Sequence, residues 1–379
     1  MFSELTIDNF KCFSKPFSFN LEKVNLFTGY NGRGKSTCFQ AFLLLAQTLY
    51  DGRNFKELLV NGIFCKLGLF QDLLNTKGRG KAVHFSLKTD NKEEFKSLEL
   101  SYVELTDRLG RLSEIKVDGK SFVEKREALS GSEISKKSSL GFYPVGIHKL
   151  FDDFQFVAAD RLGPTLFEEK NDLYVHNPIG NNGEFKLNVL AGNDELKKEL
   201  ATSISRIMDG GVMDISGDQE KTNEVLKLYF STIGDSKKQI KAINSGFGYS
   251  YVIPILLSAL TMKGGCLFIE NPEAHLHPCA QSKLMKELIR ITLKNNTQLF
   301  VETHSEHIVN AMRLCVLYTE KEYEGLTSND VSVYFFDKNM DIKNLSVEPD
   351  GQMPEWPKGF FDQAERDAAE ILRLGLLKQ

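Results

Sequence analysis

Residues 29–37 read GYNGRGKST, which places Gly29, Gly34, Lys35 and Ser36 on the spacing G-x-x-x-x-G-K-[S/T]. The run VNLFTG before them has the alternation of a strand, and STCFQAFLLLAQTLY after them is apolar on nearly every side, as a buried helix would be. Strand, glycine loop and helix make up the P-loop unit. Glycines let backbone N–H groups wrap a phosphate and the helix offers its positive end. Lys35 would reach the terminal phosphates and Ser36 would ligate Mg²⁺. Gly29, Asn31, Gly32, Gly34, Lys35, Ser36 and Thr37 are therefore the candidate nucleotide-binding residues. NTKGRGKA repeats the GRGK string at 78–81, but Asn75 replaces the first glycine and Ala82 the hydroxyl, which leaves an exposed basic loop.

A chain of 379 residues can bury a substantial core. Its 47 basic and 51 acidic residues leave a formal charge of −4, so any contact with DNA must be a local patch; TKGRGK (76–81) and KKQIK (237–241) are the candidates. Six scattered cysteines without a CxxC pair indicate reduced thiols. The N-terminus lacks a signal pattern and YVIPILLSALTM is too short to span a bilayer, so the expectation is a soluble cytoplasmic protein without membrane contact.

Five segments emerge along the chain: 1–81 with the P-loop, an antiparallel meander at 82–130, a helical lobe at 131–243, a second α/β half at 244–318 and a C-terminal segment at 319–379. AVHFSLKTD, SLELSYVEL, RLSEIKVDG and SFVEKR read as the strands of the meander. Leu196, Leu200, Ile204 and Ile207 share a helical face behind Asn193 or Asp194, and residues 193–231 are expected to be largely helical. From 264 onward strand and helix alternate, as in a parallel sheet.

CLFIENPEAHLHP (266–278) ends an apolar strand in Glu270, expected beside the P-loop strand with its acid next to Ser36 for Mg²⁺. His275 and His277 either cap and pack the turn or pair on a metal. QLFVETHSEH ends another strand in Glu302, Thr303 and His304, where a histidine can donate to a γ-phosphate without a permanent charge; a structural histidine or an HxxH metal site are the alternatives. NSGFGYSYVIPIL places Asn244, Ser245, Gly246 and Gly248 before an apolar helix, a second anion cradle. One nucleotide does not need two cradles from one chain, so two copies facing each other, each lending this loop to the other's P-loop, would explain the redundancy.

Taken in order, these elements resemble ABC-class ATPases of the SMC, RecF and OLD kind, with GYNGRGKST as Walker A, NSGFG as a degenerate signature loop, LFIENPE as Walker B and ETHS as the switch histidine. The resemblance implies an α/β P-loop NTPase fold, an ABC-type head with a mixed core sheet, an antiparallel β meander and a helical lobe. It also implies ATP and Mg²⁺ as ligands and an ATP-sandwiched homodimer or higher oligomer. Lys11 and Phe13 become candidates near the adenine, with core packing the alternative for Phe13, and Gln71 becomes the metal-binding glutamine. The strings ADRLGP, NPEAHLHP and WPKGFFDQ bring the chain near standalone bacterial ATPases with a C-terminal domain of unknown function, similar to Septu-like phage-defence subunits whose neighbouring protein is the nuclease. Asn271 falls where the family pattern places the catalytic glutamate. An amide can orient water but cannot take its proton, so Glu273 either substitutes or remains a surface acid, and hydrolysis with Asn271, Glu273 and His304 at the site would be slow. A scaffold that binds ATP without turnover and a RecF-like DNA-repair ATPase are the other readings. The roughly 75 residues after His304 are too few for an appended Toprim nuclease.

Overall fold

The computed structural model describes residues 1–52, 55–78, 80–90, 95–122, 151, 153–171, 177–208, 216–217, 225–232, 235–244, 247–318, 323 and 325–376. Two sheets dominate these residues. The first is mixed and contains β3 (Val24–Gly29), β9 (Phe154–Val157), β15 (Cys266–Glu270), β16 (Gln298–Glu302), β17 (Val331–Phe336) and β18 (Ile342–Leu345) in the order β18-β17-β3-β16-β15-β9. All pairs are parallel except β17 with β18. The second is antiparallel: β2 (Phe17–Asn20), β1 (Phe2–Asp8), β5 (Ala82–Thr89), β6 (Ser97–Thr106), β7 (Leu109–Val117) and β4 (Glu57–Leu59), with β8 (Lys120–Phe122) also paired to β7.

The parallel strands are buried on both faces, which is why they are mostly apolar, with Asn25, Thr28 and Gln298 buried among the apolar residues. The two faces differ in kind. Phe27, Phe268, Phe300, Tyr334 and Phe336 point toward α1 (Lys35–Gly52) and the antiparallel sheet, in a core rich in phenylalanine. Leu26, Leu267, Ile269, Leu299, Val301 and Val333 point the other way, into an aliphatic core under α3 (Asp194–Ile207), α4 (Phe247–Thr261), α5 (Pro278–Lys294) and α6 (Glu306–Leu317). A short α2 (Lys186–Leu190) precedes α3. The apolar face expected for α3 is buried, and the side chain of Asn193 caps it by accepting from the Leu196 N–H at 3.0 Å.

Two expectations change. Among the described residues the helical reading of 193–231 holds for Asp194–Ile207, whereas β11 (Ser216–Gly217), β13 (Leu228–Thr232) and β14 (Asp235–Lys241) make a small antiparallel sheet, and β10 (Glu168–Glu169) pairs with β12 (Val225–Leu226). The run Leu228–Thr232 carries the aromatic and β-branched residues that favour strand, and that local preference prevails. The second change concerns strand order. β15 does not lie beside the P-loop strand, because β16 is inserted between β3 and β15. The tail after β18 ends in α7 (Gln363–Leu376), exposed along its described length.

Phe268 anchors the aromatic core, stacked on Phe300 at 4.2 Å between ring centroids and touching Phe39, Phe42 and Phe154 at 4.9–5.1 Å. Phe268→Ala is expected to lower unfolding free energy by about 3–5 kcal/mol in urea titrations. Phe167→Ala, at a side chain 50 % exposed, should stay within about 0.5 kcal/mol of wild type.

Candidate functional site

The P-loop leaves the sheet through a gap with no room for a side chain. Gly29 has φ +123°, and a Cβ there would sit 2.2 Å from the carbonyl oxygen of Phe336 on β17, the same oxygen that accepts the Tyr30 N–H at 2.9 Å. Gly34, at φ +106°, lies against Cys12 Sγ, which a Cβ would meet at 2.6 Å. Gly32 also has positive φ but faces open space. The buried Lys35 side chain turns back over its own loop, with Nζ donating to the carbonyls of Gly29 at 3.1 Å and Tyr30 at 2.8 Å. Burial lowers its pKa. Asn31 and Gly32 are exposed at the loop's crest, and Thr37 is buried in the first turn of α1, its N–H donating to Gly34 O.

The acid against Ser36 is Glu302, not Glu270. Ser36 Oγ donates to Glu302 Oε1 at 2.9 Å, and β16, which carries Glu302, is the strand next to β3. Glu302 is 6 % exposed, and its Oε2 has no hydrogen-bond partner. Burial, and then the neighbouring carboxylate of Glu270, push its pKa up to about 7. Glu270 is its in-register partner one strand further out, where Oε2 accepts the Ala159 N–H at 3.2 Å. Burial raises the Glu270 pKa as well.

Beyond Glu270 the chain turns sharply. Asn271 takes φ +43°, a conformation that asparagine tolerates better than most residues. Its N–H donates to Glu302 O at 2.8 Å, and its side-chain Oδ1 is buried without a partner. Glu273 is folded inward: Oε2 accepts from Thr303 Oγ1 at 2.8 Å and Oε1 from the His304 N–H at 2.6 Å, and burial raises its pKa. The exposed His304 ring has its pKa lowered by partial desolvation and then by Lys35.

Arg161, within ADRLGP, holds this turn from behind. Its guanidinium donates from Nη1 to the carbonyls of Ala158 and Glu270, each at 2.8 Å, and from Nη2 to that of Asn271 at 2.7 Å. It also lies 5.5 Å from the centre of the Tyr251 ring. Burial pulls its pKa down to about 10, which leaves it charged at neutral pH. The sequence motif was visible without a role attached, and Glu302 was visible only as the end of a strand.

Other expected residues lie elsewhere. Gln71 is not brought to Ser36: it is exposed on a turn anchored to the antiparallel sheet by buried Phe70, whose N–H donates to Asp107 O, and its amide donates to Glu104. Lys11 donates to Gln40 at 2.7 Å, and Phe13 packs against Phe17 and Phe19 while its ring edge borders the P-loop, 3.8 Å from where a Cβ on Gly34 would stand. His277 caps α5 by accepting the Cys279 N–H, and His275 packs 4.3 Å from Tyr251. Ser245 and Gly246 lie outside the described residues; Asn244 is exposed just before them, and Gly248, in the first turn of α4, backs onto the carbonyl of His275. The tail approaches instead. Gly359 packs on Tyr30, and Phe360 sits between Phe335 and Trp356. A cavity of about 240 Å³ lies between the P-loop start, His304 and residues 359–363, and one of about 390 Å³ lies between Glu273, His304 and Phe361.

Residues 181–309 match the AAA ATPase domain family, and residues 326–371 match a family described as a protein of unknown function, DUF3696. A Helicobacter pylori protein described as an ATP/GTP phosphatase is 20 % identical over 338 residues, covering 82 % of this chain and 87 % of that one. An Smc head bound to the C-terminal winged-helix domain of ScpA superposes with a TM-score of 0.51 at 13 % identity, over 92 % of this chain and 98 % of that one. A Pyrococcus furiosus Smc head with an extended coiled coil, bound to the C-terminal domain of ScpA, gives 0.50 at 11 %, over 98 % and 99 %. The fold is that of an α/β P-loop NTPase with mixed sheets, and part of its second half is similar to the AAA ATPase domain family.

Arg161→Lys would keep the charge but lose the planar fork that reaches three carbonyls at once. It should cost about 1–3 kcal/mol of stability in urea unfolding. A wild-type midpoint would show that the turn does not depend on the guanidinium.

Proposed function

We propose that the chain binds ATP with Mg²⁺ at Gly29–Thr37, hydrolyses it slowly, and uses the bound state to close two copies around the nucleotide and control a partner effector. The observation that carries this reading is the cradle itself. Gly29 and Gly34 stand where a Cβ would strike neighbouring atoms, and Lys35 holds its ammonium over the loop's own carbonyls, poised to exchange them for phosphate oxygens. The residues present also fit a divalent cation: Ser36 supplies a hydroxyl, while Glu270 and Glu302 supply hard carboxylate oxygens, one of them buried and unpartnered. Such an ion neutralises phosphate charge during transfer.

The residues around the turn then divide the work. Asn271 orients a water through its unpartnered amide oxygen and Glu273 accepts the proton, since each carboxylate oxygen keeps a lone pair beyond the bond it already makes. His304 faces the terminal phosphate. Dimer closure through Asn244, Ser245, Gly246 and Gly248 supplies the second cradle. Smc heads that bind ScpA domains support a partner-controlling role by analogy, and a phage-defence setting with a nuclease as effector is the corresponding proposal for biology. One observation favours the alternative of a non-hydrolysing scaffold: both Glu273 oxygens already accept hydrogen bonds within the chain.

Steady-state phosphate release decides between them. Wild type should release phosphate slowly, Lys35→Ala should release none and lose ATP-dependent dimerisation in light scattering, and Glu273→Gln should be slower than wild type by about 10²-fold or more. Wild type that binds ATP and releases no phosphate establishes the scaffold; Glu273→Gln at the wild-type rate removes Glu273 from the chemistry.

A further inference from the structure

We propose that Glu302 is a ligand of the divalent cation that accompanies the nucleotide, standing beside Ser36 at the tip of the strand inserted between the P-loop strand and β15. The proposal rests on the reading of Gly29–Thr37 as a nucleotide site. Three observations carry it.

The first is position. β3 and β16 are immediate neighbours with Phe27 and Glu302 in register, so among the carboxylates at the strand tips Glu302 is nearest the P-loop. Glu270 is one strand further away and already takes the Ala159 N–H. The second is an unused acceptor. Glu302 is 6 % exposed, one of its oxygens meets Ser36 and the other meets nothing. An orphaned carboxylate oxygen is costly to bury, and a cation removes that cost. The third is spacing. Neighbouring oxygen ligands of an octahedral magnesium ion, at bonds of about 2.0–2.1 Å, lie about 2.9 Å apart. Ser36 Oγ and Glu302 Oε1 are already 2.9 Å apart, so one arrangement serves as a hydrogen bond without the ion and as two ligand positions with it.

The alternative is that Glu302 only holds the Ser36 rotamer. Glutamine keeps the size and the oxygen that accepts from Ser36, so Glu302→Gln separates the two roles. Mn²⁺ would be titrated into the full chain saturated with a non-hydrolysable ATP analogue and followed by electron paramagnetic resonance. Binding of a fluorescent ATP analogue would be measured separately in EDTA. Glu302→Gln should weaken Mn²⁺ binding by about tenfold or more while the variant still folds and still binds the nucleotide analogue in EDTA. Glu302→Asp, which keeps the charge on a shorter arm, should fall between the two, and Glu270→Gln should lose less than Glu302→Gln. Wild-type Mn²⁺ affinity in Glu302→Gln would overturn the assignment while leaving the nucleotide site standing. A wild-type chain that binds no nucleotide in either condition would remove both.

Discussion

The parallel pairing of β3, β16 and β15 in register is the constraint on which the site depends. Phe27 pairs with Glu302 and Glu302 with Glu270, so the strands end at one level and deliver their last residues to one edge. The backbone continues this alignment past the sheet: Thr303 N–H donates to Phe27 O, and Asn271 N–H donates to Glu302 O. A one-residue slip of β16 would move Glu302 to the opposite face and put Val301 against Ser36. The two unlike cores resist that slip, because Phe300 fits only the aromatic side and Val301 packs on the aliphatic one.

Three carboxylates gathered under little solvent need compensation, and the chain provides it unevenly. Arg161 and Lys35 stand at the site, yet neither makes an ion pair with these acids in the structure; the Lys35 ammonium and the Arg161 Nη atoms donate to carbonyls, and Arg161 Nε is buried without a partner. The acids accept instead from N–H and O–H donors of Ala159, Thr303, His304 and Ser36, and Glu302 Oε2 is left without a partner. That division fixes the backbone through cations and the side chains through neutral donors. It leaves the negative charge incompletely neutralised, the condition under which the proposed cation would be taken up.

What could be read from the residues alone was what local pattern encodes. The P-loop shows in nine consecutive residues, the first three meander strands in period-two alternation, and α3 in the spacing of Leu196, Leu200, Ile204 and Ile207. Strand order is not a local property. Nothing in CLFIE or QLFVE tells which of two equally apolar runs lies next to VNLFTG, and the choice decides whether Glu270 or Glu302 meets Ser36. Arg161 escaped for a related reason: its partners are backbone carbonyls of residues 158, 270 and 271, which leave no trace in side-chain identity.

The C-terminal residues, set apart in the sequence as a segment of their own, belong to the centre of the structure. β17 pairs with β3 along its whole length, so the P-loop strand is flanked on one side by chain from beyond residue 330. Phe336 supplies both the carbonyl that receives Tyr30 and the wall that excludes a side chain at Gly29. Further along, Gly359 meets Tyr30 so closely that a Cβ would lie 2.2 Å from its hydroxyl, and the same stretch walls the cavity reached by His304. Phe360, buried between Phe335 and Trp356, fastens this stretch to the core before the chain enters α7, which is exposed along its described length.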